Sequence, residues 1–320
     1  MGYTTLRLPP DDAGIAQAVQ MLNEGQLVAF PTETVYGLGA DARNDLAVAG
    51  IFAAKKRPRF NPLIVHVPDI EAVEAIAEVP DLARRLFAFW PGPLTLVLPR
   101  RATANLSDMV TAGLDSVAVR IPAHPLARKL LRAFGGPIAA PSANPSGKVS
   151  PTTADHVLSG LSGLIGGVLD AGPCEVGLES TIIGFTPAPT LLRLGGLPRT
   201  AIEDALQMKL HEADTDKVNA PGQLKSHYAP TAGLRLNAQQ PHGEAWLGFG
   251  PSDFDVPSLN LSPLGDLREA AANLFAYLRK LDRMASEHGL SSIAVATIPD
   301  HGLGEAINDR LQRAAAPRDT

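Results

Sequence analysis

The sequence predicts a mixed α/β chain in two unequal units, on three observations. Over the first two hundred residues, short apolar runs bounded by Pro, Gly and polar turns alternate with stretches whose apolar residues recur every three or four positions. From about Met208 to Pro230 this periodicity fails, in the polar and turn-rich HEADTDKVNAPGQLKSHYAP. Beyond it, Leu267, Ala271, Leu274, Leu278, Leu281 and Ala285 form a helical stripe at alternating spacings of four and three. A chain of 320 residues is also long for one core. The expected organisation is a domain over 1–207, a linker over 208–231 and a small domain over 232–320.

Taken in order, Ile15, Val19 and Leu22 share a helical face, and Gly25 is placed to end that helix. Leu27 to Phe30 reads as a short buried strand stopped by Pro31. A helix over about 45–54 follows and delivers Lys55, Lys56 and Arg57 to its C-terminal end, where cations complement the helix dipole. Further strands are expected at 63–67, 94–98, 117–121, 138–140, 167–170, 181–185 and 191–193, with helices near 70–77, 81–89, 124–134 and 151–160. The last of these helices has Ser150 and Pro151 as N-cap and first helical residue. In the small domain, 244–249 and 292–298 read as strands and 304–314 as a final helix, which with the long stripe gives a β-α-β-α unit.

Composition narrows the function classes. The chain is 45% hydrophobic and 19% charged with a formal charge of -5, which argues against a surface built as a whole for nucleic acid. Cys174 is the single cysteine, so there is no intrachain disulfide framework, and a reducing compartment is expected. No apolar run approaches the roughly 18 residues of a membrane span, and MGYTTLRLPP has no hydrophobic signal core. The expectation is a cytoplasmic protein with no membrane partner. A GxxxxGK[ST] loop, an HExxH pair and a CxxC pair are all missing, and the histidines are scattered, so no protein-bound metal is expected. Gly37 to Ala42 matches a dinucleotide fingerprint, but PTETVY stands between it and the preceding strand.

Polar residues gather where strands end. PTETVYGLG, residues 31–39, offers the hydroxyls of Thr32 and Thr34 and the Glu33 carboxylate, as ligand groups or as a turn that caps its own backbone. Lys55, Lys56, Arg57 and Arg59 form a basic knot beside the apolar Leu63–Val67 run. It is either a solvated helix end or a partly shielded seat for a polyanion such as a nucleoside triphosphate or an RNA backbone. His66 lies inside that run, as core residue or ligand. Arg120 interrupts VAVRI, and either a substrate carboxylate or a structural Asp/Glu would satisfy it. Ser142, Asn144, Ser146 and Ser150 enrich the loop after 138–140 in groups suited to phosphate or ribose.

Together, PTETVYGLG, the Lys55-Lys56-Arg57 element with NPLIVH, VAVRIP, Ser142-Ala143-Asn144 and GLESTI resemble the YrdC-type family of threonylcarbamoyl-AMP synthases. APGQLKSHYAP and GLGEAINDRL resemble the extra parts of its longer two-domain form. The resemblance implies a YrdC-like twisted mixed sheet with helices around a large basic cavity, followed by a small Rossmann-like α/β domain. It implies an enzyme that joins L-threonine, bicarbonate and ATP, with Mg²⁺, into threonylcarbamoyl-AMP and releases pyrophosphate. The product would pass to tRNA threonylcarbamoyl-transferase proteins, and stable tRNA binding is not expected. By position, Thr34, His66, Arg120, Ala140 and Ser180 would hold L-threonine, with Arg120 on its carboxylate. Arg57, Asn61, Ser116, Ser142, Asn144, Ser150 and Arg193 would line the ATP site, Lys55 would stand close to the phosphates, and Tyr228 on the linker would reach back over the nucleotide. Lys55 and Arg57 would be the catalytic cations. Leu194 departs from the family's frequent proline after that arginine. The rivals are an RNA-binding module using the same cavity and another carbamoyl-transferring enzyme with a related domain.

Overall fold

The computed structural model describes residues 4–58, 60–213 and 228–317. Arg59 and most of the expected linker therefore lie outside the described residues. The described strands of the first sheet are β1 (Leu6–Leu8), β2 (Val28–Phe30), β3 (Gly37–Asp41), β4 (Ile64–His66), β5 (Leu94–Pro99), β6 (Ser116–Arg120), β7 (Ile138–Ala139), β8 (Gly167–Leu169), β9 (Thr181–Gly184), β10 (Thr190–Arg193) and β11 (His211–Glu212). Their order is β1-β8-β2-β3-β7-β4-β6-β5-β9-β10-β11, with parallel pairs such as β4/β6 beside antiparallel ones such as β5/β6. The helices are α1 (Asp12–Asn23), α2 (Asp45–Lys55), α3 (Ile70–Ile76), α4 (Asp81–Arg84), α5 (Asp108–Thr111), α6 (Pro125–Phe134), α7 (Ala154–Leu161) and α8 (Arg199–Leu206), and a 3₁₀ turn at Arg85–Phe89 completes the expected 81–89 helix.

The period-2 alternation of strand side chains divides the sheet's two faces. Val65, Leu96, Val119 and Ile183 join the main core. Ile64, Val97, Ala118 and Ile182 point the other way and form a separate apolar patch with Leu192. Of that patch, Ile64 lines the candidate site, and Val97 and Leu192 line a second trough.

Local chemistry sets the helix ends that matter for the site. Asn44 accepts from the backbone N–H groups of Leu46 and Ala47 at the start of α2, and Lys56 closes it in the left-handed conformation at φ 51°. The next residue, Arg57, leaves the helix toward β4. At α7 the expected cap is displaced: Thr153, not Ser150, accepts from His156 N–H, and the Ser150 hydroxyl is committed to Glu179. The fingerprint-like glycines of residues 37–39 lie within β3.

The second sheet holds β12 (Gly233–Ala238), β13 (Ala245–Gly248), β14 (Ser258–Asn260) and β15 (Ser292–Ala296), all parallel in the order β12-β15-β13-β14, with α9 (Leu267–Glu287) and α10 (Leu303–Ala315). The sequence reading found only β13 and β15 there. β12 alternates exposed with half-buried positions and β14 is three residues long, so neither carries an apolar run. The long stripe is confirmed as α9, whose Leu274, Leu278 and Leu281 are fully buried.

Candidate active site

The loop after β2, the ends of β4, β6 and β10, the residues after β7 and before β9, and the exit from α2 converge on one cleft. Thr34, Arg57, His66, Arg120, Ala140, Ser142, Ser180, Arg193 and Tyr228 line it, together with Glu179. Three arginines face one carboxylate, so the lining is basic, as expected. The cleft holds about 40 Å³, because long side chains, Arg57, Arg193 and Tyr228 among them, converge on it.

In the 31–36 loop the two threonines differ: Thr32 caps its own backbone and Thr34 meets Arg120. Thr32 Oγ1 donates to Val35 O at 2.6 Å and accepts from the N–H groups of Thr34 and Val35. Thr34 Oγ1 instead accepts from Arg120 Nη1 at 2.9 Å. Arg120 Nη2 donates to Glu33 Oε1 at 2.6 Å, and Glu33 Oε2 accepts from Ala123 N–H. Both members of that pair are buried. A structural carboxylate thus orients Arg120, while among the described contacts only three of its five N–H groups are engaged. One hydrogen on each terminal nitrogen is left for a ligand in the cleft.

His66 is buried on β4, edge-on to Phe30, with Nδ1 3.3 Å from Ile64 O. Burial, helped by the Arg120 charge, pulls its pKa down to about 3, so the ring is neutral at physiological pH. Arg57 donates through Nη2 to Pro62 O at 3.0 Å, and burial with the nearby Arg193 charge brings its pKa down to about 10, still cationic. Arg193 donates to Ser180 O at 2.8 Å through Nη2, and Ser180 Oγ is 2.7 Å from Thr95 Oγ1.

Five expected site residues do not line this cleft. Lys55, expected beside phosphates, turns its ammonium into the carbonyls of Ser142 and Asn144 and is fully enclosed. Burial and the Arg57 charge hold its pKa well below the usual lysine value, and carbonyl coordination is what compensates such a site. Asn144 donates to Pro145 O and Lys148 O, which tightens the same loop from the other side. Asn61 lies behind Arg57, and the amide oxygens of Asn61 and Asn144 are buried with no hydrogen-bond partner among the described residues. Ser150 donates to Glu179 Oε1 at 2.6 Å. Ser116 opens instead onto a second trough of about 530 Å³, with Val97, Gly184, Phe185 and Leu192. Ser116 and Arg120 are the two ends of β6, so the cavities are about 13 Å apart along one strand.

Glu179 and Arg310 were missed as site residues in the sequence reading. Burial pushes Glu179 up, but the charges of Arg310 and Arg193 and the Ser150 hydroxyl outweigh it and hold its pKa at about 2. The signal for Arg310 was present: it falls at a core position of the α10 stripe, between Ala306, Ile307, Leu311 and Ala314.

The residues present do not fit a protein-held Mg²⁺. Among the described residues no group of three His, Cys, Asp or Glu side chains could hold a metal. The oxygens of Glu33 and Glu179 are already taken by Arg120 and Ala123, and by Arg310 and Ser150. No helix among the described residues is long and apolar enough to cross a membrane.

The family model described as "Telomere recombination" (Sua5, YciO, YrdC) matches residues 20–195, and "Threonylcarbamoyl-AMP synthase, C-terminal domain" matches 197–316. The threonylcarbamoyl-AMP synthase of Bacillus subtilis is 42% identical over 98% of this chain and 96% of its own. That of Pyrococcus abyssi is 43% identical over 94% of each. A crystal structure of P. abyssi Sua5 complexed with L-threonine superposes with a TM-score of 0.88 at 39% identity, covering 97% of both chains. Domain matches, near-full-length relatives and a shared two-sheet structure agree, and the chain belongs to the family of threonylcarbamoyl-AMP synthases, enzymes of the nucleotidyltransferase kind.

Proposed function

We propose that this chain joins L-threonine, bicarbonate or CO₂, and ATP into L-threonylcarbamoyl-AMP, releasing pyrophosphate, and that the product serves tRNA threonylcarbamoyladenosine modification through separate transferase proteins. The observation that carries this is the pair of cavities at the two ends of β6: a small basic cleft at Arg120 and a half-apolar trough at Ser116. Threonine sits in the first, with its carboxylate on the free N–H groups of Arg120 and its polar groups near Thr34, His66, Ser180 and the backbone around Ala140. The nucleotide extends toward the second, its base over the Ile64–Val97–Leu192 patch and its phosphates at Arg57, Arg193 and Ser142. Asn61, Asn144 and Ser150 shape that seat, and Tyr228 covers it. Mg²⁺ would arrive on the phosphates as part of the substrate.

Threonine's neutral amine adds to CO₂ and loses a proton, giving a carbamate. A carbamate oxygen then bonds to the α-phosphorus as the bond to pyrophosphate breaks. The nucleophile is already anionic, so no serine or cysteine need be activated; Cys174 is buried with its pKa pushed up to about 12. His66, neutral and weakly basic, supplies hydrogen bonds rather than a proton-transfer step. Arg57 and Arg193 neutralise the departing pyrophosphate, so the chain contributes alignment and charge. Lys55 acts at one remove, by holding the Ser142–Asn144 loop.

The test is pyrophosphate release from ATP and Mg²⁺ with threonine and bicarbonate present or singly omitted. Release that needs both is expected, and lost in Arg57→Ala. Release that persists without threonine would overturn the reading.

A further inference from the structure

We propose that Arg310, on α10 of the small unit, is a positioning residue for the reaction: it holds the turns that carry Ser180 and Arg193 in the geometry the cleft requires. This inference rests on the synthase reading above.

The side chain of Arg310 is completely buried, at a helix position whose neighbours are apolar. Leucine or methionine would pack there without the large cost of burying a guanidinium, so its polar contacts are where a role is to be found. Nε donates to Glu179 Oε2 at 3.0 Å and Nη2 to Leu194 O at 2.7 Å, while Nη1 donates to its own neighbour Asp309 at 2.5 Å. The first two acceptors stand directly beside cleft residues: Glu179 precedes Ser180, and Leu194 follows Arg193. The guanidinium also lies 5.2 Å from the ring centre of Tyr228, which stacks on Phe275 of α9.

Glycine lets the parts come this close. A side chain at Gly195 would meet Glu179 O at 2.3 Å, so the turn after β10 lies directly on the backbone of Glu179, the residue whose carboxylate Arg310 holds. A side chain at Gly177 would meet the α9 backbone at Ala271 O, 2.4 Å away, so the turn before Ser180 is pressed against the small unit. One guanidinium thus ties two turns of the large sheet to a helix of the small one. The groups facing Glu179 are Arg310 from α10, Arg193 from β10, Tyr228 and the Ser150 hydroxyl, while Asp309 pairs with Arg310. Without Arg310 the buried carboxylate loses its main counter-charge and takes up a proton as the pH falls.

The experiment uses the full chain as wild type, Arg310→Met, Arg310→Lys and the double variant Glu179→Gln/Arg310→Met. Thermal melts with and without threonine, and kcat/KM for threonine across the pH range, are measured on each. Arg310→Met is expected to lower kcat/KM on the order of 10²-fold and to add an acidic limb that wild type lacks. The lysine variant keeps the charge but not the two-turn grip, and loses about tenfold without the new limb. The double variant removes the stranded carboxylate, so it melts like wild type and lacks the limb, yet kcat/KM and the threonine-induced rise in Tm stay reduced. A folded Arg310→Met with a wild-type profile would overturn the proposal. If Arg310→Met does not fold, wild-type kcat/KM in both the lysine and double variants would overturn it equally. Should wild type itself release no threonine-dependent pyrophosphate, the synthase reading fails instead, and loss of the threonine-induced Tm rise in the double variant still decides the positioning role.

Discussion

Replacing Arg120 by methionine separates the two claims made on its guanidinium. The substitution breaks a buried pair at 2.6 Å and leaves the Glu33 carboxylate, among the described residues, with the Ala123 N–H alone. Stranding one partner of such a pair costs about 3–5 kcal/mol of stability. Changing Glu33→Gln as well removes the buried charge, so Glu33→Gln/Arg120→Met should recover most of that loss. Threonine binding should not recover. Two charge-assisted hydrogen bonds from the free N–H groups to a carboxylate contribute about 1.5–3 kcal/mol each. Taking the lower bound for both, about 3 kcal/mol, the threonine KM should rise on the order of 10²-fold, with the KM for ATP within about threefold. Thermal melts give the first quantity and threonine titrations of pyrophosphate release at saturating ATP the second. A double variant that regains stability and also keeps the wild-type threonine KM would refute the assignment, leaving Arg120 as the structural partner of Glu33 alone.

Acid stability should carry a His66 signature: its pKa is about 3 folded and 6.5 as the reference value, so the unfolded chain binds the extra proton. The stabilisation is whole above pH 6.5 and fades as pH falls toward 3, about 3 kcal/mol by pH 4. His66→Asn should flatten denaturant-measured stability between pH 7 and 4 by that amount relative to wild type, and parallel curves would contradict it. Ser116→Trp, which fills the trough, should raise the KM for ATP about tenfold or more and spare threonine binding; an unchanged ATP KM would remove the trough from the nucleotide's path.

Much of the large sheet was legible because its central strands are short runs such as VAF and IVH, buried along their whole length and stopped by Pro or polar turns. β3 was hidden by its glycines, which match a dinucleotide fingerprint rather than a strand pattern, and β12 and β14 by their half-exposed positions. In the cleft, Thr34, Arg120 and Ser180 stood out as polar breaks at strand ends. The orientation of Lys55 was not legible. Sequence shows a cation at a helix terminus, but the carbonyls that claim it come from a loop nearly ninety positions away. Ser150 misled for a similar reason: it satisfies the local rules for a cap, yet a long-range carboxylate takes its hydroxyl. Arg310 could have been found by asking why a guanidinium occupies a core position of an otherwise apolar helix stripe.

In the proposed reaction, threonine, the bicarbonate carbon and AMP are joined in one molecule by this chain. Incubation with ¹³C-bicarbonate, threonine and MgATP, followed at once by mass spectrometry, tests it most directly. The prediction is one adenylate that contains threonine and AMP and carries the labelled carbon, formed in step with pyrophosphate and absent when threonine is omitted. Pyrophosphate formed without that labelled adenylate, or ATP consumed only to ADP and phosphate, would contradict it.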